Sequence, residues 1–355
     1  MVQLLLSDGL RLEPLEFSTK LFGVNMDKIL LGHGSGGKLM HDLIWEYFAP
    51  AFGGDGGDSA VIDVPYRRLA YTTDSYVVSP LFFPGGNIGD IAVNGTVNDL
   101  AVVGAEPLFL TAGFIIEEGF PLADLKRIIS SMAEAAGAAG VRIVAGDTKV
   151  VNKGKADGLF INTSGVGVLH DGIEISAARI KSGDRVIVSG GIGSHGVAVI
   201  AGRNGLTFEP RIQTDSRPLN GLVKTILSRG DSIHFMRDPT RGGLATTLKE
   251  AALESGLCIR IREGSIPVAP QVKGACRLLG FDPLYVANEG ILVAVVDGAA
   301  AEWILKEMVR HPFGRDAAII GDVTPEPKGM VLLETAVGGS RIVDMLPGEM
   351  LPRIC

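Results

Sequence analysis

Cysteine is scarce, with three residues in a chain of 355, at positions 258, 276 and 355. So sparse and odd a set excludes a disulfide framework and suits a reducing compartment. No C-x-x-C pair or His/Cys cluster accompanies them, so zinc has no ligand set. Long apolar runs are also missing. The longest uncharged stretches, such as 186–202, are broken by glycines and carry His195, so none supplies the roughly 20 apolar residues of a membrane span. Nor is there an excess of basic charge. Thirty-three Lys and Arg face 40 Asp and Glu, a net charge of −7, which gives no field for holding a nucleic-acid backbone. The leading MVQLLLSDGLRLE has no basic region and no small-residue cleavage site, so it does not read as a secretory signal. These absences together predict a cytoplasmic protein that binds neither membrane nor nucleic acid.

What is present is a folded soluble chain, 46% hydrophobic and 21% charged. At roughly 150 residues per domain, its length fits two domains. Glycine, at 48 residues, is nearly twice its usual share of roughly 7%, which points to tight turns and close backbone approaches. Residues 1–25 lack periodicity, and Met26 precedes the patterned DKILLGHGSGGK, so 1–25 reads as an extension. Strand-like SAVIDV, LAYTTDSYVV, PLFLTAGFII, VRIVAGDT and GLFINTSGVGVL then alternate with helix-like IGDIAVNGTVNDLAVVGA and LADLKRIISSMAEAAGAAG. A second series runs through SGDRVIVSGG, HGVAVIAG, LATTLKEAALESG, LCIRIR, GILVAVV, AAAEWILKEMVR and AAIIGDV. The pattern predicts an α/β chain with domains over 26–176 and 177–330. Within 331–355, the residues after GMVLLE carry Pro347, Gly348 and Pro352, which argue against any regular element, so a mobile tail is predicted. Its residues 348–355 span about 26 Å when extended, enough to carry the Cys355 thiol to a distant site.

The loop Gly32-His33-Gly34-Ser35-Gly36-Gly37-Lys38 sits between an apolar run and the amphipathic KLMHDLIWEYF. Its glycines let backbone N–H groups face phosphate oxygens while Lys38 adds a charge. A structural glycine turn is the alternative. Leu39 stands where a P-loop has the hydroxyl that ligates magnesium, so a standard P-loop is not present. Carboxylates from elsewhere can fill that role. Asp58, Asp74, Asp99 and Asp147 each lie beside an apolar strand or on a polar helix face, and magnesium takes a few carboxylates plus phosphate oxygens. Any one of them is equally a turn former or N-cap. Asp238-Pro239-Thr240-Arg241-Gly242-Gly243 opens either a capped helix or an anion-facing helix terminus. Asn288-Glu289-Gly290 and His195 stay open in the same way.

GHGSGGK, GDSAVI, TTDSYVVSPLFFPGG, NDLAVVGAEP, GDTKVV, DPTRGG, NEG and the closing PRIC closely resemble the HypE family of hydrogenase maturation factors. That family lies in the PurM-like (aminoimidazole ribonucleotide synthetase) superfamily, and the resemblance runs from about residue 26 to 355. It implies a two-domain α/β (α+β) PurM-like fold that dimerises through N-terminal-domain sheets, with ATP and Mg2+ near that interface. It also implies ATP-dependent dehydration of a carbamoyl group on the chain's own Cys355 to a thiocyanate. The carbamoyl group would come from a HypF-like carbamoyltransferase, and the cyanide would pass to iron on a HypC–HypD complex for a nickel–iron hydrogenase. By the same resemblance Glu289 is the general base with Lys149 beside it. Gly34, Ser35, Gly36, Gly37, Lys38, Asp74, Asn98, Asp99, Asp147 and Thr148 are implied at ATP, and Asp58, Asp74, Asp99 and Asp147 at Mg2+. One departure is Ser194 before His195, where many relatives carry Asp. The competing readings are a PurM-like kinase or synthetase of the thiamine-monophosphate kinase or selenophosphate synthetase type, and a nucleotide-binding scaffold without turnover.

Overall fold

The computed structural model describes residues 27–30, 33, 43–52, 68–169, 172–345 and 353–354. The first half is built on a four-stranded sheet of β1 (Leu69–Tyr76), β4 (Ala105–Glu117), β5 (Arg142–Val151) and β6 (Leu159–Leu169), in the order β1-β6-β4-β5. A two-residue pair, β2 (Phe82–Phe83) and β3 (Gly86–Asn87), leads into helix α1 (Ile88–Val102). Asn87 and Asp90 form a reciprocal capping box at its start. Helix α1 is buried nearly all round, polar residues included. One side meets the sheet, where Gly165 lets Thr96 and Leu100 approach so closely that an added Cβ would lie 2.8 and 2.9 Å from them. Helix α2 (Leu122–Ala139) packs beside α1, burying Leu125, Ile128, Ile129 and Met132. The opposite sheet face is open and exposes Tyr71 and Ile115.

The second half carries a seven-stranded sheet. Its strands are β7 (Arg185–Val188), β8 (Ile233–Arg237), β9 (Cys258–Arg262), β10 (Val293–Val296), β11 (Ala318–Thr324), β12 (Val331–Glu334) and β13 (Ser340–Val343), ordered β13-β12-β9-β11-β7-β10-β8. Helix α5 (Gly243–Ser255) covers one face through Leu244 and Leu248, while α4 (Asn220–Ile226) and α7 (Ala301–Arg310) cover the other. Strands β7 and β10 are buried on both faces, which explains their unbroken VIV and VAVV runs. Two more helices, α3 (Ser194–Asn204) and α6 (Pro270–Leu279), face the first half. Val197, Ile200, Val272 and Val286 share one core with Phe83, Ile88 and Ile91.

The α/β alternation is realised largely with antiparallel strands; β4–β5 and β9–β12 are the parallel pairs among those described. Strand alternation with helices is therefore no guide to strand direction here. The expectation of no regular element in the segment after GMVLLE needs correction at β13. Strands β12 and β13 form a hairpin closed by Thr335–Gly339 hydrogen bonds, with Val331, Leu333 and Val343 buried. Pro347, Gly348 and Pro352 fall beyond it, so they never interrupt the ladder. The predicted strand SAVIDV lies outside the described residues.

Candidate active site

Helix α1 supplies the polar floor of the site. Asn94 and Asn98 lie four residues apart, hence on one face, and that face meets the second half of the chain. Asn94 donates to the Ser216 hydroxyl at 3.0 Å. The Asn98 amide donates to the carbonyls of Glu289 (2.9 Å) and Arg217 (3.2 Å) and accepts from the Leu219 N–H (2.7 Å). Asn98 was expected at ATP. Its amide nitrogen and oxygen are on backbone partners, and through them it fixes Glu289. Asp99, the next residue, accepts from the Thr72 hydroxyl at 3.0 Å and thereby ties α1 to β1 beside Asp74.

Asn288-Glu289-Gly290 joins the remaining motifs. Asn288 donates to the Pro239 and Val286 carbonyls and accepts from the Gly193 N–H at 2.6 Å, which anchors both the Asp238 loop and the start of α3. Asp215 Oδ1 accepts from the Glu289 and Gly290 N–H groups at 2.7 and 3.2 Å. That approach requires glycine, since a Cβ at Gly290 would lie 1.9 Å from the Asp215 carbonyl oxygen. Glu289 is only 2% exposed, and among the described residues its Oε1 has no hydrogen-bond partner. Asp215 Oδ2 is orphaned in the same way.

These carboxylates repel one another in a dry setting. Burial raises Asp99 to about 6, with Asp74 adding to the shift, and raises Asp238 to about 7, with Asp99 adding to it. Glu289 is pushed well above the carboxylate range, first by burial and then by Asp238, Asp215, Asp74 and Asp90. An orphaned carboxylate oxygen in a buried, acid-prone setting suits a proton acceptor for a substrate N–H group.

The end of the chain enters this site. Ile354 is 2% exposed within the shared core, and its carbonyl accepts from His195 Nε2 at 2.9 Å. The same Nε2 lies 4.0 Å from Glu289 Oε1. Arg353 donates to the Val77 carbonyl at 3.1 Å and pairs with Asp157. Its own carbonyl accepts from the Ser79 N–H (3.1 Å) and Arg203 (2.9 Å). The predicted mobile tail is therefore docked at 353–354.

Not all expected residues gather there. Asp74 is half-buried on the α1 side of β1, whereas Asp147 and Lys149 are exposed on the opposite, open face of the sheet, joined by an ion pair of 3.0 Å. Thr148, between them, points inward and is 1% exposed. Gly34, Ser35, Gly36, Gly37, Lys38, Asp58 and Cys355 lie outside the described residues. Asp215, Thr214 and Arg353 were not singled out from sequence. Asp215 sits in an unpatterned TDSRP and gives no signal, while Arg353 stands inside the quoted PRIC and was legible. Among the described residues no three His, Cys, Asp or Glu side chains are arranged to hold a metal ion. No described helix is long and apolar enough to cross a membrane.

Compared with known proteins, residues 56–169 match the AIR synthase related protein N-terminal domain, and residues 181–334 match its C-terminal domain. "Carbamoyl dehydratase HypE" of Bradyrhizobium diazoefficiens is 55% identical over 330 residues, 92% of this chain and 95% of that one. A crystal structure of the hydrogenase maturation protein HypE in complex with ATP has a TM-score of 0.88 at 45% identity, covering 92% of this chain and 99% of that one. A HypE–HypF complex has a TM-score of 0.77 at 51% identity, covering 86% and 99%. Thiamine-monophosphate kinase from Stenotrophomonas maltophilia, at 18% identity and a TM-score of 0.61, shares the fold alone.

Proposed function

Because the chain belongs to the HypE family of AIR synthase related proteins, we propose that it is an ATP-dependent carbamoyl dehydratase acting on its own Cys355. The observation that carries this reading is the docked end of the chain. Ile354, one residue before Cys355, is held by the His195 ring nitrogen that lies 4.0 Å from the unpartnered Glu289 Oε1.

The thiocarbamate S–CO–NH2 must lose its oxygen and both N–H protons to become S–C≡N. ATP supplies the phosphoryl group that turns the oxygen into a leaving group, with Mg2+ offsetting phosphate charge; the products are ADP and phosphate. Glu289 accepts one N–H proton as the oxygen is phosphorylated, the second leaves with the departing phosphate, and the Asn98 and Asp215 contacts hold Glu289 for that task. The Gly34, Ser35, Gly36, Gly37 and Lys38 loop covers the phosphates. Asp74 and Asp99, neighbours on the α1 side of the sheet, are the candidate Mg2+ ligands within one chain; Asp58 lies outside the described residues, and Asp147, on the opposite face, could join a Mg2+ site only across the interface with a second copy. Magnesium keeps few protein carboxylates and completes its shell with phosphate and water. Lys149 and Asp147 lie on the open sheet face, the surface on which a second copy would pair. We place them at that homodimer interface, with Lys149 offsetting charge there. A HypF-like carbamoyltransferase loads Cys355, and a HypC–HypD complex receives the cyanide.

Intact-mass and C-terminal-peptide measurements test the reading directly. Incubation with a HypF carbamoyltransferase and its substrates should add a carbamoyl group to Cys355, and Mg2+ with ATP should then remove one water. A Cys355 that stays unmodified beside an active HypF would sink it.

The carboxylate cluster gives a second test. Asp99 and Asp238 bind protons in the folded chain up to about pH 6 and 7, but only to about pH 4 when unfolded. The native state therefore holds more protons between those limits, and stability falls as pH rises through that window. Mg2+ with a nucleotide should raise the melting temperature more at pH 8 than at pH 5. Equal shifts at both pH values would remove Asp99 from the Mg2+ site.

A further inference from the structure

His195 is buried, and none of the steps above uses its ring. Its hydrogen bonds fix its protonation. A carbonyl can only accept, so the 2.9 Å contact to the Ile354 oxygen makes Nε2 the N–H. In the neutral ring with its proton on Nε2, Nδ1 is an acceptor, and the Thr214 hydroxyl, which itself accepts from the Ser216 N–H at 3.1 Å, donates to it at 2.8 Å. Burial holds the ring below its usual pKa, in keeping with this neutral tautomer. A neutral imidazole has one N–H to give. Two oxygens compete for it, those of Ile354 at 2.9 Å and of Glu289 at 4.0 Å, and the second has no other partner.

We propose that His195 is a positioning residue that couples docking of the chain end to the freedom of Glu289. With the end docked, the only ring N–H is spent on the Ile354 carbonyl, and Glu289 Oε1 keeps its lone pairs for a substrate N–H group. With the end withdrawn, the same N–H loses its first acceptor and turns to Glu289 Oε1, which is then capped. The Thr214 relay prevents Nδ1 from supplying a second donor. Glu289 is thus an open base only when a substrate arm is in place. This assignment rests on the reading of Cys355 as that arm.

The test separates holding from chemistry. Trypsin cutting after Arg353 removes the dipeptide Ile354-Cys355, and the loss is read by mass without any turnover. In His195→Leu, which keeps apolar bulk beside Phe83, that loss should quicken by on the order of tenfold, the span of a single hydrogen bond. Dehydration of the carbamoylated chain should slow by a similar factor while HypF-dependent loading is unchanged. His195→Gln places an amide N–H near the Nε2 position and should restore protection from trypsin. It also carries a second N–H that can cap Glu289, so its dehydration should stay slower than that of the unaltered chain. Cleavage of His195→Leu at the unaltered rate overturns the holding role. Unaltered dehydration in His195→Gln overturns the role of the single N–H. If the unaltered chain takes no carbamoyl group, the reading of Cys355 fails and takes the rate half of the assignment with it, while the trypsin result still decides the holding half.

Discussion

Glu289→Gln is expected to arrest the chain as its carbamoyl adduct, with Cys355 loaded normally and dehydration in Mg2+ and ATP slowed by about 10²- to 10⁴-fold. The substitution is close to isosteric. It retains the backbone N–H that donates to Asp215 at 2.7 Å and the carbonyl that accepts from Asn98 at 2.9 Å, so the local frame survives. What it removes is the orphaned acceptor oxygen. It also removes a buried acid that burial first, and then neighbouring carboxylates, push well above its usual pKa, so the melting temperature should not fall. The wild-type pH profile supports the same test. A base must be ionised, and a raised pKa keeps Glu289 protonated beyond the ordinary carboxylate range, so dehydration should rise with pH through a correspondingly raised midpoint. The variant should lack that rise. Rapid quench with mass detection of the adduct gives both profiles, and a variant that dehydrates at the wild-type rate would dismiss Glu289 as the base.

The sequence made the carriers of the site legible but not their arrangement. NEG, DPTRGG and NDLAVVGA are legible as polar motifs set against apolar runs. That Asn288 ties Pro239 to Gly193, and that Asn98 holds the Glu289 carbonyl across 191 positions, depends on how two sheets are brought together through α1. No local pattern encodes that. Asp147 and Lys149 show the limit most clearly. On a strand, alternate residues face opposite ways, so Asp147 and Lys149 point together away from Thr148, and only the packing of α1 tells which face is covered. The seating of residues 353–354 was not legible for a related reason. Pro347, Gly348 and Pro352 report local irregularity, and irregular backbone docks well when specific donors wait for it. Arg203 and His195 are those donors, far away in sequence.

Arg353→Ala should slow dehydration by about 10- to 100-fold while leaving HypF-dependent loading of Cys355 intact. Arg353 holds a left-handed backbone at φ 55°, a conformation that costs a non-glycine residue about 1–2 kcal/mol. Contacts made only in the docked state must offset that strain. The Ser79 and Arg203 bonds go to the residue 353 carbonyl and survive the substitution. The guanidinium bond to the Val77 carbonyl is lost, and a hydrogen bond to a charged group is worth about 1.5–3 kcal/mol. The Asp157 pair is solvent-exposed and adds little. With the offset gone, the same strain favours release, and each 1.4 kcal/mol costs a factor of about ten in docked population. Loading requires the end of the chain to reach another protein, so it should be unchanged or faster. Arg353→Gly sharpens the result, because glycine takes the left-handed conformation without penalty. It loses the same guanidinium but not the strain balance, and its dehydration should fall between that of Arg353→Ala and wild type. Equal rates in all three chains, in single-turnover assays started from the loaded protein, would mean that docking of 353–354 does not limit the reaction.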